Sequence, residues 1–440
     1  MKFKIVLVLR RNSSPLVRIR LLAQAGGKPR SWAVRTAASG LRIMSMISAG
    51  LGPRPVGSDP NRRAFSPYQT RAVQTKSIMN IATREHKATV VKISIVIPCR
   101  NERRHIGEFL DSLLRQSFDR DWEVEILVAD GMSDDGTREV LRRYIERSPS
   151  VQMIDNPGRI VSTGLNAAIA ASSGDIIIRM DAHTVYASDY VRQCVDVLQR
   201  TGADNVGGPW IARGTGSMGR AIAAAFQSPF CAGGGKSHNP SYEGDADTVY
   251  LGCWRRSAFE RFGLFDPELV RNQDDELNFR IRRGGGRLFQ SPKIESYYTP
   301  RSSLGAVFKQ YLQYGFWKVA VMRKHGSVAS WRHLVPALFV SSIVLGLLLI
   351  ALSSALDWNT LALFAGAFLG GELTLYALAC VAATLPYLGT LEVSALLALP
   401  AVIAVHHIAY GTGFLMGLFQ SKQSGANNPQ TANFFTALTR

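Results

Sequence analysis

Acidic and imidazole side chains follow an apolar run in the middle of the chain. Residues 175–180 contain three consecutive isoleucines, and Asp181-Ala182-His183 comes directly after them. A carboxylate and an imidazole on one turn can bind a divalent cation, which would neutralise charge on a bound diphosphate. A helix cap or a hydrogen-bonded polar group would use the same residue types, so the triplet alone leaves both interpretations open.

A second acidic turn follows residues 124–129, which are apolar except for Glu125. It reads Asp130-Gly-Met-Ser-Asp-Asp-Gly-Thr137. An aspartate at the tip of a strand can accept hydrogen bonds from the base or ribose of a nucleotide, whereas an Asx-turn that leads into a helix would need no ligand. Next to a cation-binding pair on a neighbouring strand, the nucleotide interpretation is favoured.

A third group of acids, Gln273-Asp274-Asp275-Glu276-Leu277, opens a segment that ends at Gly284-Gly-Gly286. Acids in the first turn of a helix are stabilised by the helix dipole without any further role. That effect accounts for two of the three acids. The remaining one could serve as a general base if it reaches a bound hydroxyl group.

A glycine-rich stretch, Gly233-Gly-Gly-Lys-Ser237, has part of a phosphate-binding P-loop pattern. The full pattern requires glycine at position 230, where this chain has Phe230, so the P-loop interpretation fails. A flexible loop that closes over a ligand remains open, with Lys236 as a candidate contact to a phosphate group.

Strands that alternate with helices must position these residues, a pattern typical of an α/β sheet covered by helices. The predicted strands are residues 93–97, 124–129 and 175–180, and the predicted helices are residues 104–116, 136–147, with Thr137 as N-cap, and 166–171. The strands end at Pro98, Asp130 and Asp181. Ligands of open α/β sheets bind at the carboxyl ends of strands, so we expect these positions to share one crevice.

The positive charge of the chain is concentrated at one end. The net charge is +18, but residues 1–90 contain 17 Lys and Arg and only the acids Asp59 and Glu85. We expect this basic extension to be disordered; an organellar transit peptide, or a functional start at Met79, remains open. Because the rest of the chain is nearly neutral, charge does not indicate a nucleic-acid partner for the folded part.

The carboxyl-terminal third has the composition of membrane helices, since about 20 apolar residues cross a bilayer core. Three spans are predicted at residues 334–356, 361–384 and 391–418. The second contains Glu372, and the third contains Pro400, His406 and His407, the two histidines being interpreted as helix-packing groups with a functional pair as the alternative. Two or four spans remain possible alternatives.

Basic residues lie before the first predicted span, at Lys318, Arg323, Lys324 and Arg332, whereas the loop at residues 357–360 has no basic residue. The positive-inside rule therefore predicts that the catalytic part faces the cytoplasm and that the chain is a multi-pass protein of the inner or plasma membrane. The five cysteines have no CxxC spacing, which indicates reduced thiols in a reducing compartment.

The order of these motifs resembles the inverting GT-A glycosyltransferases of family 2, which have a Rossmann-like nucleotide-diphospho-sugar transferase domain. Four motifs carry the resemblance: Ile93-Ser-Ile-Val-Ile-Pro-Cys-Arg-Asn-Glu102, Val128-Ala-Asp-Gly-Met-Ser-Asp-Asp-Gly-Thr137, Met180-Asp-Ala-His183, and Asp274-Asp-Glu-Leu277 with Arg280. With Tyr298-Thr-Pro-Arg301 and Gln310-x-x-x-Tyr-Gly315, the chain is most similar to succinoglycan-type glucosyltransferases of exopolysaccharide assembly.

The resemblance implies a role for each matching position. The residues implied to line the nucleotide-sugar pocket are Pro98, Asn101, Glu102, Asp130 and Asp181. Asp181 and His183 would hold Mg²⁺ or Mn²⁺ on the diphosphate. The usual D-x-D is D-x-H in this chain, which leaves the metal preference open.

The resemblance also implies a catalytic base. Asp274 takes that place, and Asp275 remains the alternative because the usual Glu-Asp pair reads Gln273-Asp274. Processive synthases of the family carry Q-x-x-R-W where this chain has Gln310-Tyr-Leu-Gln-Tyr314. The missing Arg and Trp favour transfer of a single sugar, with Gln310 and Tyr314 as candidate acceptor contacts.

These observations predict a membrane-anchored, metal-dependent glycosyltransferase that moves a sugar, from a UDP-sugar by the family's habit, to a lipid-linked saccharide. The product would be passed to export or polymerisation machinery. The alternatives are a processive polysaccharide synthase, a membrane-tethered nucleic-acid-binding protein with a degenerate transferase domain, and, less well supported, a nucleotidyltransferase. The predicted domains are a basic extension (1–90), the GT-A domain (91–300), an interfacial linker (301–333), the membrane helices (334–420) and a tail (421–440).

Overall fold

The computed structural model describes residues 6–8, 17–23, 30–36, 90–327 and 330–419. The chain forms two compact units, Met1–Glu85 and His86–Arg440. In the first unit, strands β1 (Val6–Val8), β2 (Val17–Ala23) and β3 (Arg30–Thr36) form an antiparallel sheet.

This small sheet differs from the prediction of a disordered extension. The segment Val17-Arg-Ile-Arg-Leu alternates apolar and basic residues, which is the period of a strand, and the overall basic composition masked that pattern. The rest of the predicted basic extension lies outside the described residues, as does the tail from residue 420 onward.

The second unit is built on an eight-stranded mixed sheet with the order β11-β13-β9-β12-β7-β4-β5-β6. Its strands are β4 (Val91–Cys99), β5 (Trp122–Asp130), β6 (Val151–Asp155), β7 (Ile176–Arg179), β9 (Asn205–Gly208), β11 (Gly244–Asp245), β12 (Tyr250–Arg255) and β13 (Leu288–Gln290). A small second sheet contains β8 (Thr184–Tyr186), β10 (Ile211–Ala212) and β14 (Ser296–Tyr298). Strands β7, β4 and β5 are parallel neighbours, so their carboxyl ends lie side by side.

Helices cover both faces of the large sheet and continue into the carboxyl-terminal part. They are α1 (Ile106–Leu114), α2 (Thr137–Arg147), α3 (Val161–Ala171), α4 (Tyr190–Thr201), α5 (Gly216–Gln227), α6 (Pro229–Ala232), α7 (Arg256–Phe262), α8 (Gln273–Arg283), α9 (Leu304–His325), α10 (Val335–Ala355), α11 (Asn359–Ala382) and α12 (Val393–Phe419). The architecture is the mixed α/β, GT-A-like sheet that the sequence predicted, followed by apolar helices.

Strand β4 shows why the central strands are mainly apolar and do not alternate apolar with polar residues. Ile93, Ile95 and Ile97 are buried in the core on one face of the sheet, and Val96 is buried in the core on the other face. A strand with helices on both sides has no solvent-facing row of side chains, so the alternation of apolar and polar residues is lost.

The predicted element boundaries need three corrections. Helix α1 is shorter at both ends than predicted, and α3 begins at Val161 rather than Asn166. Thr137 is the first helical residue of α2, and the N-cap is Gly136 in the left-handed conformation, with φ of 97°. The Thr137 hydroxyl group is used elsewhere, since it accepts a hydrogen bond from the Glu102 backbone N–H at 2.8 Å.

Three helices in the carboxyl-terminal part are long and apolar enough to cross a membrane: Trp331–Ala355, Asn359–Tyr387 and Val393–Phe419. Large apolar side chains on α10 and α11, such as Leu345 and Phe368, are exposed on this pair of helices. Helix α12 instead contributes Leu399, Val402 and Ile403 to a core shared with α5. The last candidate span is thus packed directly against the α/β part of this unit.

The predicted interfacial linker is a 22-residue helix, α9, which packs along α12. Small residues permit this close approach. A Cβ atom added at Gly315 would overlap the carbonyl oxygen of Tyr410, and one added at Gly413 would overlap the carbonyl oxygen of Leu312. Small residues that let helix backbones touch are a common packing device in membranes.

The contact between α9 and α12 can be tested with two matched glycine substitutions. Gly413→Ala should lower the thermal midpoint of the detergent-solubilised protein by several degrees, because the new methyl group forces the two helix backbones apart. Gly370→Ala, on α11 with nothing within 4 Å of the added atom, should leave the midpoint nearly unchanged. Equal midpoints for the two variants would contradict the close packing.

Candidate active site

A buried arginine lies at the centre of the site. Arg179, the last residue of β7, donates from Nε and Nη2 to the two carboxylate oxygens of Asp181 at 2.9 and 3.0 Å. Its Nη1 lies 4.0 Å from an oxygen of Asp274. Burial alone would lower the pKa of Arg179, but the charges of Asp181 and Asp274 outweigh burial and raise it. One guanidinium group therefore connects the strand-end acid with the acid of α8.

His183 lies on the other side of Asp181, in the turn that precedes β8. Its Nδ1 is 3.6 Å from a carboxylate oxygen of Glu102. The described part of the chain contains no cluster of three His, Cys, Asp or Glu side chains that could hold a metal ion by themselves. Asp181 and His183 supply one oxygen and one nitrogen donor, a set that fits a divalent cation whose other ligands come from a diphosphate and water.

The three acids of α8 have different surroundings. Glu276 is buried and accepts from Arg280 at 2.7 Å, and it lies 2.9 Å from His325. Asp275 is paired with Lys318 of α9. The side chain of Asp274 is 37% exposed and faces the cavity described below. Two acids are thus used to attach α8 to α9, and Asp274 is the acid best placed to meet a substrate.

The charge state of Asp275 follows from its pairing. Burial alone would raise the pKa of this carboxyl group, but the Lys318 ammonium group outweighs burial and holds the pKa below its ordinary value. Asp275 is therefore an anion at neutral pH and serves as a structural partner for α9. A carboxylate engaged by an ammonium group is a poor proton acceptor, so this pairing counts against Asp275 as the candidate base.

Four of the residues that the family resemblance assigns to the nucleotide-sugar pocket, Pro98, Asn101, Glu102 and Asp130, lie at or just after the ends of β4 and β5. Cys99 pairs with Asp130 in register, and Asp130 is fully buried, accepting from Arg138 at 2.7 Å and from the Ser133 backbone N–H at 3.1 Å. The second carboxylate oxygen of Asp130 has no hydrogen-bond partner among the described residues.

Asn101 is held in the left-handed conformation, with φ of 55°, and exchanges hydrogen bonds with Asp134 at 3.0 and 3.1 Å. The segment that follows β4 is thus tied to the acidic turn that follows β5. Pro98, Asn101, Glu102 and Asp130 do not line the main cavity, whereas Asp181, His183, Asp274 and Asp275 do.

That cavity has a volume of about 760 Å³ and extends from the acids to the candidate spans. Its lining includes Arg179, Asp181 and His183, and also residues of all three apolar helices, among them Phe339, Tyr376 and His406. Aromatic side chains form another part of the lining: Trp210, Tyr250, Tyr298, Tyr311 and Tyr314. Trp210 is stacked on Tyr250 with an interplanar angle of 10° and a centroid distance of 5.3 Å.

Of the three remaining candidate residues, two line the cavity and one does not. Gln310 and Tyr314 line the cavity, and the Gln310 amide donates to the Tyr314 hydroxyl group at 3.0 Å. Lys236 does not line the cavity. Its ammonium group donates to the Asp245 carbonyl oxygen at 2.9 Å and lies over the ring of Tyr242. The neighbouring residues Gly235 and Ser237 line the cavity, so the glycine-rich segment reaches the site without its lysine.

Sequence reasoning did not single out Arg179 or Trp210. An arginine in an apolar strand is itself a signal, because a buried guanidinium group needs carboxylate partners, and acids follow two residues later and in α8. Trp210 gave no comparable signal. It belongs to the aromatic lining only because β9 and β12 pair in the sheet.

The GT-A-like sheet carries Asp130 and Asp181 at the carboxyl ends of the parallel strands that flank β4, the edge at which α/β sheets bind their ligands. The family model described as "Glycosyl transferase family 2" matches residues 94–261, and the chain belongs to this family. It is a glycosyltransferase.

The chain is 35% identical over 257 residues to the succinoglycan biosynthesis protein ExoA of Rhizobium meliloti, covering 58% of this chain and 77% of that protein. It is 28% identical to the dolichyl N-acetyl-alpha-D-glucosaminyl phosphate 3-beta-D-2,3-diacetamido-2,3-dideoxy-beta-D-glucuronosyltransferase of Methanococcus voltae, covering 62% and 87%. Among solved structures, the mannosyltransferase PcManGT of Pyrobaculum calidifontis, in complex with GDP-Man and Mn²⁺, is 18% identical with a TM-score of 0.49, covering 80% and 95%.

The pairing of Asp275 with Lys318 predicts a pH-dependent effect on stability. Lys318→Met should lower the free energy of unfolding by about 2 kcal/mol at pH 7, because it leaves a largely enclosed anion without its partner. In the wild type this pair stabilises the fold above the ordinary pKa of 3.8 and loses its effect as the pH falls through the lower folded value.

In the Lys318→Met variant, burial raises the pKa of Asp275, so protonation of this carboxyl group removes the unpaired buried charge. The difference in thermal midpoint should therefore be largest near neutral pH and shrink on acidification. The double variant Asp275→Asn/Lys318→Met should recover most of the loss, as measured by thermal unfolding in detergent. A pH-independent difference would contradict the ion pair.

Proposed function

We propose that this protein is a membrane-anchored inverting glycosyltransferase that moves a sugar from a nucleotide-diphosphate donor to a lipid-linked saccharide. The observation that carries the proposal is the continuous cavity, which runs from Asp274 and Asp181 to side chains of the three candidate membrane spans. A lipid-linked acceptor requires that arrangement, because its saccharide must reach the acids while its chain stays in the bilayer.

Asp274 is the proposed catalytic base. An inverting transfer needs a carboxylate that takes the proton of the acceptor hydroxyl group as its oxygen attacks the anomeric carbon. The bond to the nucleoside diphosphate breaks on the opposite face, and the negative charge leaves with the diphosphate. Arg179 fixes Asp274 and Asp181 relative to each other, which supports a geometry with base and diphosphate on opposite sides of the sugar.

The donor proposal rests on the strand ends. The unpartnered oxygen of Asp130 can accept a hydrogen bond from a nucleobase N–H or a ribose hydroxyl group. Asp181 and His183 would hold Mg²⁺ or Mn²⁺, which supplies charge neutralisation for the departing diphosphate. By the resemblance to family 2, the donor is proposed to be a UDP-sugar.

The acceptor proposal combines the aromatic lining with the missing Q-x-x-R-W motif. Tyrosine and tryptophan faces stack on the apolar faces of sugar rings, and Gln310 offers an amide at the same place. Without the arginine and tryptophan of a processive enzyme, transfer of one sugar is favoured over polymer synthesis. The similarity to a succinoglycan biosynthesis protein supports exopolysaccharide or cell-surface glycan assembly, with export or polymerisation machinery downstream.

The membrane proposal is a multi-pass protein of the inner or plasma membrane with its catalytic part in the cytoplasm. Three long apolar helices support the anchoring, and the basic residues before the first of them support the orientation. Donor sugars are then available on the side where the acids lie.

The proposal is tested with membrane fractions that contain the full chain, incubated with a panel of nucleotide sugars and a lipid-extract acceptor. Wild-type membranes should release nucleoside diphosphate and label the lipid fraction with one sugar. Asp274→Asn should lower transfer by about 10² to 10⁴, the usual effect of losing a general base, while binding of the nucleotide is kept.

Asp275→Asn is the matched comparison on the neighbouring position. Its main expected effect is a lower thermal midpoint, with transfer per folded molecule reduced far less than in Asp274→Asn. Wild-type turnover by Asp274→Asn would reject this residue as the base, and labelled products of many sugars would favour the processive alternative.

The metal proposal predicts that EDTA-treated membranes lose transfer and recover it with Mn²⁺ or Mg²⁺. His183→Asp should stay active and shift the ratio of Mg²⁺- to Mn²⁺-supported rates toward Mg²⁺, because an all-oxygen ligand set suits the harder ion. Asp181→Asn should lose activity with both ions. Full transfer after exhaustive chelation would rule out metal dependence.

A further inference from the structure

His406 is a buried polar residue in the last candidate span, where apolar side chains would be expected. It is 1% exposed and lines the cavity. Its Nδ1 lies 2.8 Å from the Val402 carbonyl oxygen, and its Nε2 has no hydrogen-bond partner among the described residues. A buried polar atom without a partner costs free energy, so a ligand that supplies the missing bond would bind favourably.

The chemistry of that missing bond follows from the first one. A carbonyl oxygen can only accept a hydrogen bond, so the Nδ1 of a neutral His406 must carry the proton. Its Nε2 is then an acceptor and requires a donor. Gln310 is in the same situation, because its amide nitrogen donates to Tyr298 at 3.3 Å and Tyr314 at 3.0 Å, while its Oε1 is buried without a partner among the described residues.

The two acceptors belong to one wall of the cavity. Tyr311, the residue after Gln310, has its ring centroid 4.0 Å from that of His406, and Phe226 contacts both rings at 5.8 and 5.5 Å. Two hydrogen-bond acceptors beside aromatic rings suit a sugar, which presents hydroxyl donors at its edge and C–H groups on its faces. A phosphate dianion, which has acceptors only, does not suit them.

We propose that His406 is a specificity-determining residue that accepts a hydrogen bond from a hydroxyl group of the acceptor saccharide. The inference rests on the proposed function and adds to it a contact from a candidate membrane span. The acceptor sugar would thereby be contacted by two helices, through Gln310 on α9 and His406 on α12.

The test uses the full chain in membranes, one competent UDP-sugar, and undecyl diphospho-hexosides as acceptors, including analogues that lack one hydroxyl group each. His406→Phe should raise the acceptor KM about tenfold, which corresponds to the loss of one hydrogen bond, with kcat changed far less. Acceptor-independent release of UDP should stay at the wild-type level. His406→Gln, which keeps a hydrogen-bonding group, should restore part of the affinity.

The deoxy analogues identify which hydroxyl group of the acceptor His406 contacts. For the wild type, one analogue should show a raised KM, and for His406→Phe the same analogue should show no further increase. Tyr387→Phe is the matched control, because it removes a hydroxyl group that bonds the Ala224 carbonyl in the contact between α5 and α12 but does not line the cavity.

Two outcomes would overturn the inference, and they are distinguishable. If the wild type glycosylates the hexosides and His406→Phe has the wild-type KM and the wild-type response to every deoxy analogue, the proposed function stands and the role of His406 is rejected. If the wild type neither transfers a sugar nor releases UDP with any donor, the proposed function fails and the inference fails with it.

Discussion

The site depends on one buried guanidinium group. Arg179 ends the central strand β7, and its partners Asp181 and Asp274 come from segments more than 90 residues apart in the chain. A buried charge must be compensated, and the bidentate pair with Asp181 supplies most of that compensation, while Asp274 adds a weaker attraction at 4.0 Å. The same guanidinium group therefore lies beside both the acid of the proposed metal site and the proposed catalytic base.

Local sequence patterns predict much of the fold and part of the site. The runs at β4, β5 and β7 are short and mainly apolar, which favours their assignment to buried parallel strands, and the acids that follow β5 and β7 could be placed at one edge of the sheet from that assignment. The separation between Asp274 and Asp275 could not be predicted, because it depends on Lys318, which a later helix brings to Asp275.

Other features were hidden for physical reasons. In the first unit, the basic residues of β2 obscure its alternation of apolar side chains. Lys236 lies next to three glycines and resembles a phosphate ligand in sequence, yet the adjacent Asp245 carbonyl and Tyr242 ring capture its ammonium group. The aromatic lining is assembled from strands and helices far apart in the chain, so no local sequence pattern predicts it.

The backbone contact between α9 and α12 has a consequence for the choice of acceptor. Where two helices touch through Gly315 and Gly413, little sliding or tilting is available, so the acids stand at a set height relative to the apolar bundle. The contact therefore fixes the distance between the acids and the apolar helices. The proposed lipid-linked acceptor would then have to present its reacting hydroxyl group at the height of Asp274 above the apolar helices.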